Sequence, residues 1–449
     1  MVKDPFAMPL ARALATDELI RARDRARVDG LRRQRSLWQR LLLLLVLVGP
    51  GILVMIADND AGGVITYAQT GSSFGIGFYL PFLVLLGPVA YVVQEMTVRL
   101  GAVTRRGHAE MIWGRYGAAW GAFSLFDLVV ANFLTLITEF IGITLGMRVL
   151  GVPPVWSAVG GAVLVLTVLL GLRYYTWERV ALTIAAGNLV FVPLALMAHP
   201  HWSSVVSAFA TWHVPGGITP VFVYVLLANL GTTIAPWMLF FQQSSVVDKG
   251  LTRRDIRHGQ VDTAVGSAAM VLVALAIVVL TGTLVYHHSG TSPVGVVQIM
   301  QTLGARLGRT GEDLFALGLV EAGVIAAIAI TASTSWATGE AFGWPKSINL
   351  PPQVAWRFYV PGIVSVALAA ATVLIPHAPL GFLNLTVQVV ATIFMPAAML
   401  FLLLLLNDRE IMGEYANKPW QNVAAIGIVG FLVLMNGLYG LTVVFPHLL

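Results

Sequence analysis

The chain has 449 residues, of which 57% are hydrophobic and 11% are charged. About 25% of the residues of a soluble domain are charged, so this composition excludes an ordinary soluble protein and indicates a polytopic membrane protein. The sequence contains no cysteine, which excludes disulfide bonds and thiolate metal sites. The net charge of +5 does not indicate a nucleic-acid partner, because the basic residues concentrate at the N-terminus and in alternate loops.

Residues 1–40 are rich in arginine and precede the first apolar stretch. Two interpretations stay open for this segment, which is predicted to be cytoplasmic. It forms either an amphipathic helix that lies on anionic lipid or a solvated tail.

Eleven apolar stretches follow, most of them near or above the roughly 20 residues that cross a bilayer. The predicted spans are 41–72, 78–100, 118–150, 155–172, 180–198, 219–247, 261–287, 312–341, 356–376, 380–406 and 422–445. We therefore expect an all-α polytopic membrane protein with eleven transmembrane helices.

The basic residues predict the orientation of the chain in the membrane. Those expected on the cytoplasmic side are Arg105, Arg106, Arg115, Arg173, Arg179, Lys249, Arg253, Arg254, Arg257, Lys346, Arg357, Arg409 and Lys418. The opposite loops contain Arg148, Arg306 and Arg309. The positive-inside rule then places the N-terminus in the cytoplasm and the C-terminus outside, in a plasma-membrane protein.

Polar residues and helix breakers interrupt the first and the sixth predicted spans. The first contains "IADNDAGGVITY", in which Asp58 and Asp60 precede two glycines, and the sixth contains "GTTIAP" at residues 231–236. A carboxylate at bilayer depth costs roughly 2.5 to 3.5 kcal/mol, and an unwound backbone must be satisfied by a ligand or by water. The pattern predicts a divalent cation site at the two breaks.

The positions of the breaks also predict the domain organisation. Interrupted spans at corresponding places of two five-helix halves are typical of transporters built from inverted repeats. The first repeat is predicted at 41–198, the second at 219–406, and an additional eleventh helix at 422–445.

Several stretches resemble the Nramp (natural resistance-associated macrophage protein) family of divalent metal transporters. "GPGILVMIADNDAGG" is similar to the first helix of the family, whose Asp-Pro-Gly-Asn motif aligns with residues 60–63. The stretches "VQEMTVRLGAVTRRGHAEMIWGRYG", "ITEFIG", "GQVDTAVG" and "LTVQVVATIFMPAAMLFLLLLLNDREIMGEYANKP" are similar to its second, third, seventh and tenth helices. The resemblance runs from about residue 40 to the end of the chain.

The resemblance implies alternating access between two repeats and supplies candidate metal ligands. They are the carboxylate of Asp60, the backbone carbonyls of Ala57 and Thr232, and the amide of Gln388. All are oxygen donors suited to a hard divalent cation. Asp58 is a further candidate ligand, although it could instead cap the second half of the broken helix.

Departures from the family motif predict the choice of ion. The family's first-helix asparagine is Gly63, and its sixth-helix Met-Pro-His-Asn reads Ala235, Pro236, Trp237 and Met238. Loss of the thioether at 235 removes a donor that selects against Mg²⁺, and the smaller side chains leave room for an ion that keeps several waters. This pattern is most similar to the Nramp-related magnesium transporters. We expect Gly63, Asn229, Ala235 and Trp237 to line the pocket.

The residues that would couple transport to protons are also changed. The family's third-helix acid and sixth-helix histidine are Leu136 and Trp237 here, and neither titrates. The histidines, among them His108, His258, His287, His288 and His447, are predicted in loops or at span ends. Uncoupled import is therefore expected, although Asp60 or Asp127 could carry a proton. Glu139 is either part of a proton path or a structural hydrogen-bonding group, and Glu321 is expected to be structural.

The sequence therefore favours a secondary transporter that imports Mg²⁺, and also Mn²⁺, without a cofactor or an obligate protein partner. Two alternatives are a proton-coupled Mn²⁺ or Fe²⁺ transporter and an Nramp-like sensor that does not transport. An enzyme is not expected, because no HExxH or GxSxG motif occurs. An amino-acid transporter is disfavoured, because Asp60 would repel a substrate carboxylate.

Overall fold

The computed structural model describes residues 7–33, 49–214, 216–286 and 293–444. The elements in these ranges are helices and turns, so the predicted all-α class is confirmed for them. Nine of the described helices are long and apolar enough to cross a membrane, and a shorter apolar helix covers Trp356–Thr372. The count of eleven spans stays a prediction, because the predicted first span begins outside the described residues.

The N-terminal helix, α1, covers Ala7–Arg33 and accounts for most of the predicted basic segment. The predicted first span is two helices, α2 at Pro50–Ala57 and α3 at Ala61–Phe74. Proline at the first position of α2 has no N–H to leave unpaired and is favoured there. All the residues of α3 are buried, as expected of a helix at the centre of a bundle.

The longer helices of the first half follow the predicted spans, and two short helices, His108–Tyr116 and Trp202–Thr211, lie between predicted spans. They are α4 at Tyr79–Thr104, the short α5 at His108–Tyr116, α6 at Ala118–Val149, α7 at Pro154–Gly171, α8 at Tyr174–Ala185, α9 at Phe191–Met197 and α10 at Trp202–Thr211. A 3-10 turn joins α8 to α9, and together they form one continuous span that begins before the predicted residue 180.

The predicted sixth span is also interrupted, as α11 at Pro220–Thr233 and α12 at Pro236–Lys249. The later helices are α13 at Ile256–Leu284, α14 at Val296–Ala341, α15 at Trp356–Thr372, α16 at Leu380–Asn407, the short α17 at Arg409–Met412 and α18 at Pro419–Val444. The stretch α14 is two helices that meet at Gly308, whose φ of 74° and ψ of 179° are not helical. A positive φ of this size favours glycine. The second of the two helices begins close to the predicted residue 312, and the first precedes the predicted span.

The two interrupted spans lie at the centre of the bundle. Helix α13 packs against α2, α3 and α4, and α14 runs along α6 and also contacts α3. Helix α16 packs against α11. Helix α18 lies at the edge, with few buried residues. This arrangement surrounds both breaks with α6, α13, α14 and α16.

Candidate functional site

The first break lies between α2 and α3. Asp60 caps α3, and its carboxylate accepts a hydrogen bond from the Gly63 N–H. The Ala61 N–H, which in a continuous helix would bond to the Ala57 carbonyl, donates to Glu139 Oε2 of α6 at 2.9 Å. The Ala57 carbonyl therefore loses its usual helical donor and lies at the negative end of α2.

The second break lies between α11 and α12, where Ile234 and Ala235 have extended backbones. The helical donor for the Thr232 carbonyl would be the N–H of Pro236, and proline has none. The backbone carbonyl of Thr232 is therefore a second one without a helical N–H donor. It lies at a helix C-terminus, a position suited to a cation.

The two breaks are in contact with each other. A Cβ atom added to Gly63 would lie 2.7 Å from Thr232 Oγ1 and 3.1 Å from Asp60 Oδ1. The Tyr67 hydroxyl of α3 lies 3.1 Å from the Thr233 hydroxyl of α11. Asp60 and Thr232 therefore belong to one compact site.

Helix α16 adds an amide to the same site. Gln388 Nε2 lies so close to Gly62 that a Cβ on that glycine would overlap it, and Asp60 Oδ1 would be 3.3 Å from that Cβ. This nitrogen has no hydrogen-bond partner among the described residues. Rotation of the carboxamide by 180° would put Oε1 at the same place, so Gln388 can present an oxygen beside Asp60.

Asp58 is the most unusual group of the site. It is 1% exposed, and neither carboxylate oxygen has a hydrogen-bond partner in the described part of the chain. The cap of α3 is Asp60, so Asp58 does not perform the capping role. A buried charge is retained only when it is paired or bound to a metal, and this free carboxylate therefore suits a cation.

The residues expected to line the pocket are buried: Gly63 lies at the first break, and the other three lie at or near the sixth-span break. Ala235 is the N-cap position of α12. The Trp237 carbonyl accepts a hydrogen bond from Ser333 at 3.1 Å, and the indole N–H has no partner within the described ranges. Asn229 donates to Thr70 Oγ1 at 2.7 Å and leaves its own Oδ1 without a described donor. These unsatisfied polar atoms indicate a polar pocket.

The other predicted intramembrane acids lie at different distances from the candidate site. Glu139 touches the first break through Ala61. Asp127 is twelve residues earlier on α6, about 18 Å along the axis at 1.5 Å per residue, and is therefore remote from the site. Glu321 Oε1 accepts a hydrogen bond from Asn188 at 3.4 Å.

The described histidines add no metal cluster to the bundle. His108 is buried at the start of α5, with Nδ1 2.9 Å from Gln243 Oε1. His287, His288 and His447 lie outside the described residues. The described part of the chain contains no group of three or more His, Cys, Asp or Glu side chains placed to hold a metal.

Some contributors to the site were not predicted from the sequence. Asn384 donates to the Gly62 carbonyl at 3.1 Å, and Thr392 donates to the Leu227 carbonyl at 2.9 Å. Together with Gln388 they form a polar stripe at i, i+4 spacing on the apolar α16. This spacing was a usable signal, because polar residues of membrane helices tend to face the bundle interior.

Comparisons with known proteins agree with this architecture. Residues 51–442 match the family described as "Natural resistance-associated macrophage protein-like". The chain is 28% identical to "Divalent metal cation transporter MntH 1" of Pseudomonas aeruginosa, over 88% of this chain and 90% of the relative. It is 29% identical to "Divalent metal cation transporter MntH" of Ralstonia nicotianae, over 89% and 91%. These names are those of transporters, as expected of a chain that is not an enzyme.

Solved structures show the same fold. The crystal structure of the Eremococcus coleocola manganese transporter superimposes with a TM-score of 0.71 at 21% identity, covering 90% of this chain and 87% of that one. MhsT in complex with L-phenylalanine superimposes with a TM-score of 0.59 at 14% identity, covering 87% and 98%. At these identities the likeness concerns the fold alone.

Proposed function

Because this chain belongs to the Nramp family, we propose that it is a secondary transporter that imports Mg²⁺, and also Mn²⁺, by alternating access without proton coupling. The relatives are named divalent metal cation transporters, which supports the substrate class. The observation that carries the proposal is Asp58, a buried carboxylate without a described partner, beside Asp60 at a break with freed carbonyls. A divalent cation would neutralise both carboxylates.

The proposed ligands are Asp60, Asp58, Gln388 and the carbonyls of Ala57 and Thr232. Two carboxylates, an amide and two peptide carbonyls form an all-oxygen set, which is the chemistry that Mg²⁺, Mn²⁺ and Ca²⁺ share. Waters retained by the ion would complete the coordination, as is usual for Mg²⁺.

The preference for Mg²⁺ rests on two small residues, Gly63 and Ala235. Both lie at the breaks, and neither has a side-chain atom that could coordinate a metal ion. Loss of donors and a wider pocket favour an ion that stays partly hydrated, whereas Mn²⁺ remains a substrate because most ligands bind it more tightly than Mg²⁺.

The absence of coupling rests on Leu136 and Trp237, which occupy the positions that the family resemblance assigns to coupling groups. Both side chains are buried, and neither contains a group that titrates. Glu139 accepts a hydrogen bond from Ala61 at the first break, which supports a structural role for it.

Ion flux into proteoliposomes tests the proposal. Wild-type protein should take up Mg²⁺ at millimolar concentrations and Mn²⁺ at lower concentrations. The Asp60→Ala variant should remain folded but show no saturable uptake. Uptake of Mn²⁺ without Mg²⁺ would favour an ordinary manganese transporter, and no flux with intact ion binding would favour a sensor.

Liposomes that report internal pH test the coupling. Metal entry should proceed without acidification of the lumen. Proton influx that scales with metal flux would overturn the uncoupled mechanism and favour a proton-coupled transporter of Mn²⁺ or Fe²⁺.

The double variant Gly63→Asn with Ala235→Met tests the basis of selectivity. Restoring the family residues should narrow the pocket and lower Mg²⁺ flux more than Mn²⁺ flux. A side chain at 63 requires the Thr232 hydroxyl to move, since a Cβ there would be 2.7 Å from it. The single variants should therefore be measured in parallel. An unchanged Mg²⁺ to Mn²⁺ ratio in the double variant would remove the argument from cavity width.

We also propose the topology and domain organisation expected from the sequence. The repeats are 41–198 and 219–406, the eleventh helix is 422–445, and residues 1–40 are a basic cytoplasmic segment of a plasma-membrane protein. A cysteine placed near each terminus in this cysteine-free chain should react with impermeant reagents from opposite sides of the membrane. Reaction of both from one side would overturn this orientation.

A further inference from the structure

The side chain of Met238 folds back onto the sixth-span break. Met238 is the third residue of α12, and its sulfur accepts a hydrogen bond from the Ala235 N–H at 3.5 Å. This is the position at which a Glu or Gln of a capping box would accept from the N-cap N–H. Residue 235 has no thioether of its own, but a sulfur from the next helical turn bonds to its N–H.

The sulfur lies at the sixth-span break, which contacts the first break. Its hydrogen-bond partner Ala235 is three residues from Thr232, whose hydroxyl borders Gly63 and Asp60. Met238 is completely buried, so the sulfur is part of the packed break and not of the lipid surface. Gly231 and Thr232 lack helical donors for their carbonyls, because Ala235 donates to sulfur and Pro236 has no N–H.

The chemistry of a thioether permits both capping and metal binding. Sulfur has two lone pairs, and a hydrogen bond to sulfur is weak. Methionine has three rotatable side-chain bonds and adapts its position readily. The sulfur can therefore leave the Ala235 N–H, or use its second lone pair, when a soft cation occupies the break.

We propose that Met238 is a specificity-determining residue that gives the transport site a thioether donor for soft divalent cations, of which Cd²⁺ is the probe. This inference rests on the proposed function of the same site. It implies that the chain accepts thiophilic ions through a different residue from the one at which the family motif places its methionine.

Two substitutions separate sulfur chemistry from helix capping. Met238→Leu keeps similar volume, a change that cores tolerate for less than about 1.5 kcal/mol, but loses the acceptor. Met238→Gln supplies an oxygen to the Ala235 N–H without sulfur. The matched control is Met399→Leu, a completely buried methionine on α16 that lies eleven residues, about 16 Å along the axis, beyond Gln388.

The measurement is the Cd²⁺ concentration that halves Mn²⁺ uptake into proteoliposomes, divided by the Mn²⁺ half-saturation of the same variant. Both Met238 variants should raise this ratio about tenfold or more, the equivalent of 1.4 kcal/mol, and Met399→Leu should leave it unchanged. Wild-type ratios in both Met238 variants would overturn the inference. If the ratio rises in Met238→Leu but stays at the wild-type value in Met238→Gln, Met238 acts only by capping the helix.

X-ray absorption of purified, Cd²⁺-loaded protein is an independent test. The chain has no cysteine, so any sulfur next to Cd²⁺ must come from methionine. Sulfur scattering should be present in the wild type and in Met399→Leu, and absent in both Met238 variants. Oxygen-only coordination in the wild type would overturn the inference. A wild type that transports no divalent cation would instead refute the proposed function, because the absorption experiment needs no transport.

Discussion

Asp58 and Asp60 are two residues apart, but the structure gives them different surroundings. The carboxylate of Asp60 accepts a backbone N–H and caps α3, whereas both oxygens of Asp58 are buried without a described partner. The fold therefore holds the Asp60 carboxylate in place through a hydrogen bond, whereas no described group bonds to the Asp58 carboxylate. This difference predicts different effects of substitution at the two positions.

Asp58→Asn should separate binding from folding. Removal of an unpaired buried charge should leave the thermal stability of the ion-free protein unchanged or higher, and the Mg²⁺ concentration for half-maximal uptake should rise about tenfold or more. Thermal melting in detergent and uptake assays measure the two quantities. Unchanged half-saturation would show that Asp58 is not a ligand.

Glu139 allows a second test at the level of single residues. It accepts the Ala61 N–H at 2.9 Å, and a glutamine can accept the same bond. Glu139→Ala leaves a buried N–H without its partner, which costs about 1–3 kcal/mol. Melting temperature should therefore fall in Glu139→Ala and recover largely in Glu139→Gln. Equal losses of uptake in both variants, with stability intact, would instead assign Glu139 to the proton path.

The sequence predicted residues with a chemical signal and missed those whose role depends on side-chain direction. Asp58 and Asp60 stood out because carboxylates are rare in apolar spans. Met238 did not, because methionine is common in such spans and only the fold shows that its sulfur returns to the break. Asn384 was a missed signal, since its spacing from Gln388 was readable.

At the scale of elements, α2 is held at its N-terminus by α13. Asp262 accepts hydrogen bonds from Gly49, Gly51 and Ile52 N–H groups at 3.1, 2.7 and 3.1 Å. Beside this cap, Lys249 of α12 and Glu178 of α8 form a buried ion pair at 2.8 Å. The first half of the broken span is therefore bonded to α13 and also packs against α8 and α12.

Asp262→Ala should release this end of α2. Three N–H groups at the positive end of a helix would lose a charged acceptor. A single cysteine at Val54, which is fully buried, should then react with thiol reagents several-fold faster. The control is Ser267→Ala, which removes a bond from α13 to Gly87 of α4 and does not touch α2. Equal labelling in both variants would show that the Asp262 cap does not hold α2 closed.

The locations of the predicted spans came from hydropathy, and the breaks came from Gly, Pro and Asp. What hydropathy could not supply was the first helix of α14, which precedes Gly308, because Val296 to Leu307 includes several polar and charged residues. This part is helical although it is too polar to be read as a membrane span. Helix ends that are set by surface packing leave little trace in hydropathy.

At the scale of the whole molecule, a buried histidine links global stability to pH. His108 lies outside the membrane spans, and burial lowers its pKa from 6.5 to about 4, against the hydrogen bonds that the ring donates to Gln243 Oε1 and to the Ala398 backbone, which raise it. Between these values the unfolded chain binds a proton that the folded chain does not. The free energy of unfolding should therefore fall as pH drops from 6.5 to 4, by up to roughly 3 kcal/mol.

His108→Gln should remove this part of the pH dependence. Melting temperatures of the variant and the wild type should converge as the pH falls through that window. His213→Gln, at an exposed position, is the matched control and should follow the wild type. A pH profile that is the same in all three proteins would contradict the link to His108.

The freed carbonyls of Ala57 and Thr232 have a consequence for how relatives with this fold can diverge. A peptide oxygen belongs to every amino acid, so no substitution at 57 or 232 deletes it. A substitution can occupy the Thr232 oxygen only indirectly. Replacement of Pro236 by any other residue restores an N–H that can bond to the Thr232 carbonyl. In the proposed site, exchange of the surrounding side chains would therefore change the ion that is selected without removing these backbone oxygens.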